Sequence, residues 1–294
     1  MFYQIYKFIT GLTLVVMSNL VTAETLKIYF PYAAGNAYDV VLRKVAANIS
    51  DDNDTMVVVP TPGAGGLVAL STMRNLKDNS VVNIGNALLT ADNINVERDL
   101  KIVHFMGIEP TMIVVNSASQ YYNIKDLHDR AKTSEVFYGS SGVGSYGHYS
   151  SSIIANMNKK FVHVPFKTTG QAFPELLAGR LDFLVSDQNL VASHIKSGHL
   201  RTIAVNYNRR LDNYPDVTTL REQNINNLNY YRWEMIVTNN DNNSPILSKL
   251  QVALRTTEIQ NELKSRGVIT ETINLETFMS EQRRILDNVK KFVQ

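Results

Sequence analysis

Cysteine is absent from this chain of 294 residues, and tryptophan occurs only once. The absence of cysteine excludes disulfides, thiolate metal ligands, a cysteine nucleophile and lipid attachment to a mature N-terminal cysteine. The six histidines show no paired spacing of the kind that metal sites use, so we expect neither a metal nor a cofactor. The formal net charge is only +2 and the basic residues are scattered, which argues against a nucleic-acid partner.

The apolar run near the N-terminus, residues 8–17, is too short to span a bilayer comfortably. Lys7 precedes this run, and residues 21–23 (Val-Thr-Ala) place small side chains where a signal peptidase cleaves. We therefore predict that residues 1–23 are a secretory signal peptide, whose removal takes away Lys7 and leaves a net charge of +2 − 1 = +1. The alternative interpretation is a retained single-pass membrane anchor.

The length of the chain exceeds that of a usual single-core domain, so we expect two lobes. Short apolar segments typical of strands, such as residues 26–30, 56–59 and 112–116, alternate with segments whose apolar residues recur at helical spacing. This alternation predicts an α/β protein with mostly parallel sheets flanked by helices. In such sheets, ligands bind outside the carboxyl ends of the strands.

Three glycine-rich loops, at residues 32–39, 63–66 and 139–147, each join a predicted strand to a predicted helix. The last of them holds four glycines and three serines, which permit unusual backbone conformations and supply hydroxyl donors. Unpaired N–H groups at the start of the following helix would attract an anion.

The third glycine-rich loop, residues 139–147, matches neither of the common phosphate-binding patterns. No Gly-Lys-Ser/Thr follows, as in a P-loop, and no suitably placed acidic residue lies downstream, as in a dinucleotide fingerprint. The remaining candidate for a ligand of this loop is a carboxylate or similarly small anion, which neutral donors would hold. The alternative is a flexible turn with helix-capping serines.

Several polar residues near these loops have more than one interpretation. Asp39 immediately precedes an apolar helical repeat, and we expect it to cap first-turn N–H groups rather than contact an anion, which it would repel. We expect His148 and His163 to have structural roles, the first as a donor and the second on a loop carbonyl. Asp187 ends a predicted strand and would suit an amino or hydroxyl group on a solute. Ser141, His148 and Asp187 are the residue types of a catalytic triad. Ser141, however, lacks the surrounding Gly-x-Ser-x-Gly pattern of a hydrolase.

Five segments in order resemble the signatures of the substrate-binding proteins of tripartite tricarboxylate transporters, also called the Bug family. They are Pro31–Asp39, Pro62–Gly66, Tyr138–His148, His163–Lys167 and Tyr214–Thr219. The chain departs from the family pattern at Asn36, where a second glycine is usual, at Tyr38, where a small hydroxyl residue is common, and in the Asn-rich run after Trp233. These departures leave the identity of the solute open.

The resemblance implies a two-lobed periplasmic receptor of type II, a Venus flytrap that clamps a small organic acid between its lobes and delivers it to a membrane permease. Lobe 1 would comprise residues 24–116 and 226–294, and lobe 2 residues 117–225. We expect a monomer. The expected solute contacts are Tyr32, Gly35, Asn36, Ala37, Tyr38, Asn86, Ser140, Ser141, Gly142, Gly144, Ser145 and Asp187. The expected supporting residues are Asp39, Gly65, Gly66 and His148.

Two other functions are compatible with the sequence. The first is a solute sensor that reports to a membrane signalling protein instead of a permease. The second is a secreted hydrolase with Ser141 as its nucleophile, which turnover of ester substrates would reveal.

Overall fold

A computed structural model describes residues 24–32, 35–51, 53–76, 79–90, 99–156, 158–225, 229–239 and 241–293. The predicted signal peptide, residues 1–23, lies outside these ranges. The described strands form two five-stranded sheets, with orders β2-β1-β3-β10-β4 and β7-β6-β8-β5-β9. The strands are β1 Glu24–Phe30, β2 Asp54–Pro60, β3 Ser80–Gly85, β4 Leu100–Glu109, β5 Thr111–Asn116, β6 Val136–Ser140, β7 Phe161–Pro165, β8 Phe183–Asp187, β9 Leu200–Asn206 and β10 Arg232–Asn239.

Helices flank both sheets, in agreement with the predicted α/β fold. They are α1 Ala37–Ile49, α2 Leu67–Asn75, α3 Ile124–Ala131, α4 Tyr146–Ala155, α5 Thr169–Leu177, α6 Gln188–Lys196, α7 Pro245–Leu254, α8 Thr257–Ser265 and α9 Leu275–Val293. Among the described residues, no helix combines the length and the apolar character needed to cross a membrane.

The direction of the strands explains how the chain connects the two sheets. In the first sheet β10 is antiparallel to both of its neighbours, β3 and β4, whereas β1, β2 and β3 are parallel. In the second sheet β5 is antiparallel to β8 and β9, whereas β6, β7 and β8 are parallel. Each reversed strand is the one through which the chain enters from the other sheet. The remaining strands of both sheets therefore point their carboxyl ends towards the crossings.

The first crossing lies at Pro110, between β4 and β5. The expected lobe boundary after residue 116 assigned β5 to the first lobe, but β5 pairs with β8 and β9 of the second sheet. The apolar pattern did not predict β4 at all, because Lys101 and His104 interrupt it. This strand owes its place to its pairing with β10, which is distant in sequence.

The core has separate parts on the two sheets and a part between them. Apolar residues of α1, α7 and α8 pack on the first sheet, and α3 packs on the second. A third group of buried residues draws on both sheets and on α9. Trp233 belongs to this group, is 0% exposed and packs edge-on against Phe278 of α9. Helix α9 therefore packs against β10, the strand by which the chain returns to the first sheet.

Candidate functional site

Charged side chains from the two sheets meet beside the crossings. We call this group the cleft cluster, and it consists of Tyr32 after β1, Glu109 at the end of β4, Asp187 at the end of β8, and Arg232 and Glu234 in β10. All five lie at strand ends that face the other sheet. The fold therefore brings together residues separated by up to 202 positions in the sequence.

Arg232 joins the two sheets within the cluster. Its Nη1 donates to both carboxylate oxygens of Asp187, at 2.9 and 2.7 Å, and its Nε lies 3.0 Å from Oε2 of Glu109. The side chains of Arg232, Asp187 and Glu109 are 20%, 13% and 5% exposed. Asp187, which we expected to contact a solute, is thus engaged by a guanidinium in this structure.

Glu234 accepts hydrogen bonds in a second, more deeply buried part of the cluster. The hydroxyl of Tyr32 donates to its Oε1 at 2.6 Å, and Nδ2 of Asn83 donates to its Oε2 at 2.9 Å. The hydroxyl proton of Tyr32 is therefore directed at Glu234. Tyr38 is 1% exposed, and its hydroxyl has no hydrogen-bond partner among the described residues.

Two carboxyl groups of the cluster, those of Glu109 and Glu234, resist ionisation. Burial, reinforced by the charge of Asp187, raises the pKa of Glu109 to about 8 although Arg232 opposes the shift. Burial likewise raises the pKa of Glu234 to about 7, against the attraction of Arg232. Because burial outweighs the attraction of Arg232, Glu109 and Glu234 take up protons near neutral pH.

The first glycine-rich loop is shaped by Asp39 and Asn36. The side chain of Asn36 caps α1 by accepting the N–H of Asp39 at 3.0 Å. Asp39 lies inside the first turn, where its carboxylate accepts the N–H of Gly35 at 2.8 Å and pairs with Arg43 at 3.0 Å. The expectation that Asp39 caps the helix was therefore wrong, because α1 begins at Ala37, before the apolar repeat that we used to locate it.

The loop after β6 also uses glycine at positive φ. Gly142 has φ +112° and Gly144 has φ +81°. The N–H of Gly142 donates to Oγ of Ser140 at 3.2 Å, and that of Gly144 donates to Nδ1 of His148 at 3.1 Å. Ser145 caps α4 by accepting the N–H of His148. The N–H groups of the first two residues of α4 have no acceptor within the helix and can donate to an anion.

Two histidines, His148 and His163, form hydrogen bonds with residues of this loop. His163 lies 2.7 Å through Nε2 from Oγ of Ser140, rather than on a loop carbonyl as expected, and its ring stacks on His148 at 4.1 Å. His148 accepts a loop N–H instead of donating. Burial lowers the pKa of His148. Burial, together with the charge interaction with His148, lowers the pKa of His163 to about 4. Both rings are therefore neutral at pH 7.

The described residues contain no assembled catalytic triad of the kind that the hydrolase alternative requires. Ser141 is exposed, His148 is engaged by Gly144, and Asp187 is engaged by Arg232. The described residues also contain no group of three or more histidine, aspartate or glutamate side chains that could hold a metal ion.

Other expected site residues lie around the crossings. Asn86 bridges to β10, since its Nδ2 donates to the carbonyl of Tyr231 at 2.8 Å and its Oδ1 accepts the N–H of Trp233 at 3.3 Å. Gly65 and Gly66 belong to the short 3-10 helix Ala64–Gly66. A Cβ on Gly66 would lie 3.4 Å from Cβ of Pro31, so the loop after β2 packs closely against the loop after β1.

Sequence reasoning missed Glu109, Arg232, Glu234 and Asn83. A usable signal was present in β10, where Arg232 and Glu234 stand two residues apart in an otherwise apolar strand. Residues two apart point to the same face of a strand, so the pair predicts a polar patch on a buried surface. Their partners could not be identified without the pairing of the strands.

Comparison with known proteins supports the architecture. The family model described as "Tripartite tricarboxylate transporter family receptor" matches residues 41–283. A UPF0065 protein of Bordetella bronchiseptica is 30% identical over 200 residues, which span 64% of this chain and 60% of that relative's length.

Solved structures resemble the fold of this chain over most of its length. The periplasmic binding protein BugD superposes with a TM-score of 0.75 at 21% identity, covering 92% of this chain and 97% of BugD. An R. palustris protein with adipate superposes with a TM-score of 0.78 at 18% identity, covering 92% of this chain and 97% of that protein. At these identities the likeness concerns the fold alone.

Proposed function

Because the chain belongs to the tripartite tricarboxylate transporter family of receptors, we propose that it binds a small organic acid between its lobes and delivers it to the membrane permease of such a transporter. The solute would be a carboxylate, released unchanged to the permease, and the receptor would act as a monomer without a cofactor. Residues around Pro110 and residues 229–231 would belong to the connection about which the lobes move.

The observation that carries this proposal is a pair of helix N-termini at the crossings. Helix α1 begins in the loop after β1 of the first sheet, and α4 begins in the loop after β6 of the second. Each helix presents first-turn N–H groups and the positive end of its dipole. A dicarboxylate could place one carboxylate at each helix, and the adipate bound by a structural relative has this chemistry.

Gly142→Val is expected to lower solute affinity at least tenfold while the protein stays folded. An added Cβ would have room, since only the carbonyl oxygen of Phe166 lies within 4 Å, at 3.7 Å, but the φ of +112° would strain any other residue. We expect the loop to relax and its N–H groups to turn away. Calorimetry would measure the affinity for a carboxylate first identified in a thermal-shift panel, and circular dichroism would measure folding.

Gly179→Val is the matched control for backbone strain. Gly179 follows α5, has φ +70°, and no atom lies within 4 Å of an added Cβ. This variant should lose a similar amount of stability but bind normally. Normal binding by Gly142→Val would mean that the loop after β6 is only a turn.

We also infer that the receptor is exported to the periplasm by cleavage after Ala23. The motivating features are Lys7, the short apolar run and the small residues 21–23. N-terminal sequencing of the periplasmic fraction should begin at Glu24. Recovery of uncleaved chain only with membranes would support a retained anchor instead.

A further inference from the structure

A cavity of about 810 Å³ lies beside α4. Its walls come mainly from α4, from the amino end of β7, from α9 and from the segment between β9 and β10. None of the described residues that line it belongs to the cleft cluster or to the loop at residues 141–145. The volume falls within the roughly 300–1,000 Å³ that is typical of small-molecule sites. The cavity is therefore large enough for a ligand and is separate from the charged residues at the crossings.

One face of α9 contributes both apolar and polar side chains to this cavity. The residues of α9 that line it recur at intervals of three or four positions, which places them on the same side of the helix. They are Glu281, Arg284, Ile285, Asn288 and Val289. Ile153 of α4 adds a further apolar side chain to the wall. The cavity therefore offers an apolar surface beside polar groups.

The lining of the cavity carries more positive than negative charge. Lys159, which follows α4, and Arg284 are exposed cations without a hydrogen-bond or ion-pair partner among the described residues. Glu281 is the only acidic side chain among the described lining residues, and its Oε1 accepts Nδ2 of Asn229 at 3.1 Å. An anion that enters the cavity would thus meet two unpaired cations.

His148 adds a neutral donor to the wall of the cavity. Its Nδ1 accepts the N–H of Gly144 at 3.1 Å, so the neutral ring carries its proton on Nε2. This Nε2 has no hydrogen-bond partner among the described residues, and the ring belongs to the lining. Stacking on His163, with the ring centroids 4.1 Å apart, holds the ring in place. A fixed N–H donor is therefore available to an oxygen atom of a ligand.

We propose that this cavity binds an organic anion with an apolar body, separately from the solute of the cleft. The acidic group, a carboxylate or a sulfonate, would accept hydrogen bonds from Arg284, Lys159 and Nε2 of His148, which are donors without partners. The apolar body would cover Ile285 and Val289 and remove their apolar surface from water. Such a site does not require that the cleft bind a carboxylate.

Fluorescence titration with 8-anilinonaphthalene-1-sulfonate tests the proposal on the mature protein, because this anion binds exposed apolar surface. We expect saturable binding of about one probe per protein at pH 7. Naphthalene-1-sulfonate should displace the probe, whereas methanesulfonate, which has no apolar body, should not. Equal displacement by both compounds would mean that the apolar body contributes nothing, and would overturn the proposal.

Substitution of neighbouring cations locates the bound probe. Arg284→Gln and Lys159→Gln should each weaken binding about threefold, and together about tenfold, as expected for exposed charges. Arg283→Gln and Lys160→Gln are the matched controls, because they remove the same charges from exposed neighbours outside the lining. The controls should change the affinity less than about 1.5-fold. Equal losses in both sets would indicate attraction by the general surface charge and would overturn the proposal.

The cleft provides the remaining distinction. Gly142→Val changes a loop outside the lining, so this variant should keep the probe, and a carboxylate that binds in the cleft should not displace it. Displacement by that carboxylate, or loss of the probe in Gly142→Val, would place the probe in the cleft and overturn the proposal. If the probe binds with the expected pattern but no carboxylate binds, the proposed function fails and the cavity site stands.

Discussion

Arg232→Ala is expected to destabilise the folded protein by about 3–5 kcal/mol, as is typical when one partner of a buried ion pair is removed. The variant leaves Asp187 and Glu109 without the guanidinium that both contact, in a setting where the side chain of Glu109 is only 5% exposed. Urea denaturation at pH 8 would measure the free energy of unfolding.

The size of this loss should depend on pH. Without Arg232, which lowers their pKa values, Glu109 and Glu234 hold their protons to still higher pH in the folded state than in the unfolded chain. The folded state then binds more protons above about pH 4.5, so its stability falls as the pH rises. The destabilisation should therefore be larger at pH 8 than at pH 5.

Arg180→Ala provides the control for removal of a guanidinium. Arg180 pairs with Glu175, but the two side chains are 64% and 33% exposed. Exposed pairs contribute about 0–1 kcal/mol, so this variant should stay close to the parent protein. An equally small effect of Arg232→Ala would show that the cleft cluster is solvated and that its ion pairs do not stabilise the folded protein.

Solute at about 100 times its dissociation constant is expected to stabilise the protein by roughly 2.7 kcal/mol. For a chain of this size the melting temperature should rise by about 5 °C or more. If the solute bridges the helix N-termini of the two lobes, as proposed, only a closed form can satisfy both of its ends, and the ligand should favour that form. Differential scanning fluorimetry and solution scattering would measure the two effects, and the radius of gyration should decrease.

Two further observations would test closure. Trp233, the single tryptophan, follows Arg232 in β10 and packs against Phe278, so its fluorescence should change when the lobes move. Asp187→Asn weakens the contact with Arg232 across the sheets and should increase the radius of gyration of the free protein. A tightly bound carboxylate that raises the melting temperature without changing the scattering profile would indicate a preformed receptor.

Local pattern was sufficient for most of the helices and strands. The repeat Val41, Val45 and Ile49 predicted α1 because buried residues of a surface helix recur every three or four positions. The continuous apolar segment 112–116 predicted β5 because both of its faces are covered. Both signals lie within one element and need no knowledge of its neighbours.

The glycine-rich loops were predictable for the same reason. Gly142 and Gly144 adopt positive φ values that side chains with a Cβ rarely reach, so their position reports the backbone directly. The start of α1 was misplaced because capping by Asn36 depends on a side-chain hydrogen bond, whereas the apolar repeat begins later.

The sequence by itself determined the α/β class, the order of most elements other than β4, and the loops that end the strands, because propensity and periodicity act over a few neighbouring residues. Only the tertiary structure decided which charged residues meet. Arg232 lies 45 positions from Asp187, and Tyr32 lies 202 positions from Glu234. Their contacts depend on strand pairing across the crossings, and burial there gives Glu109 and Glu234 their raised pKa values. The electrostatic character of the cleft is thus a property of the assembled sheets.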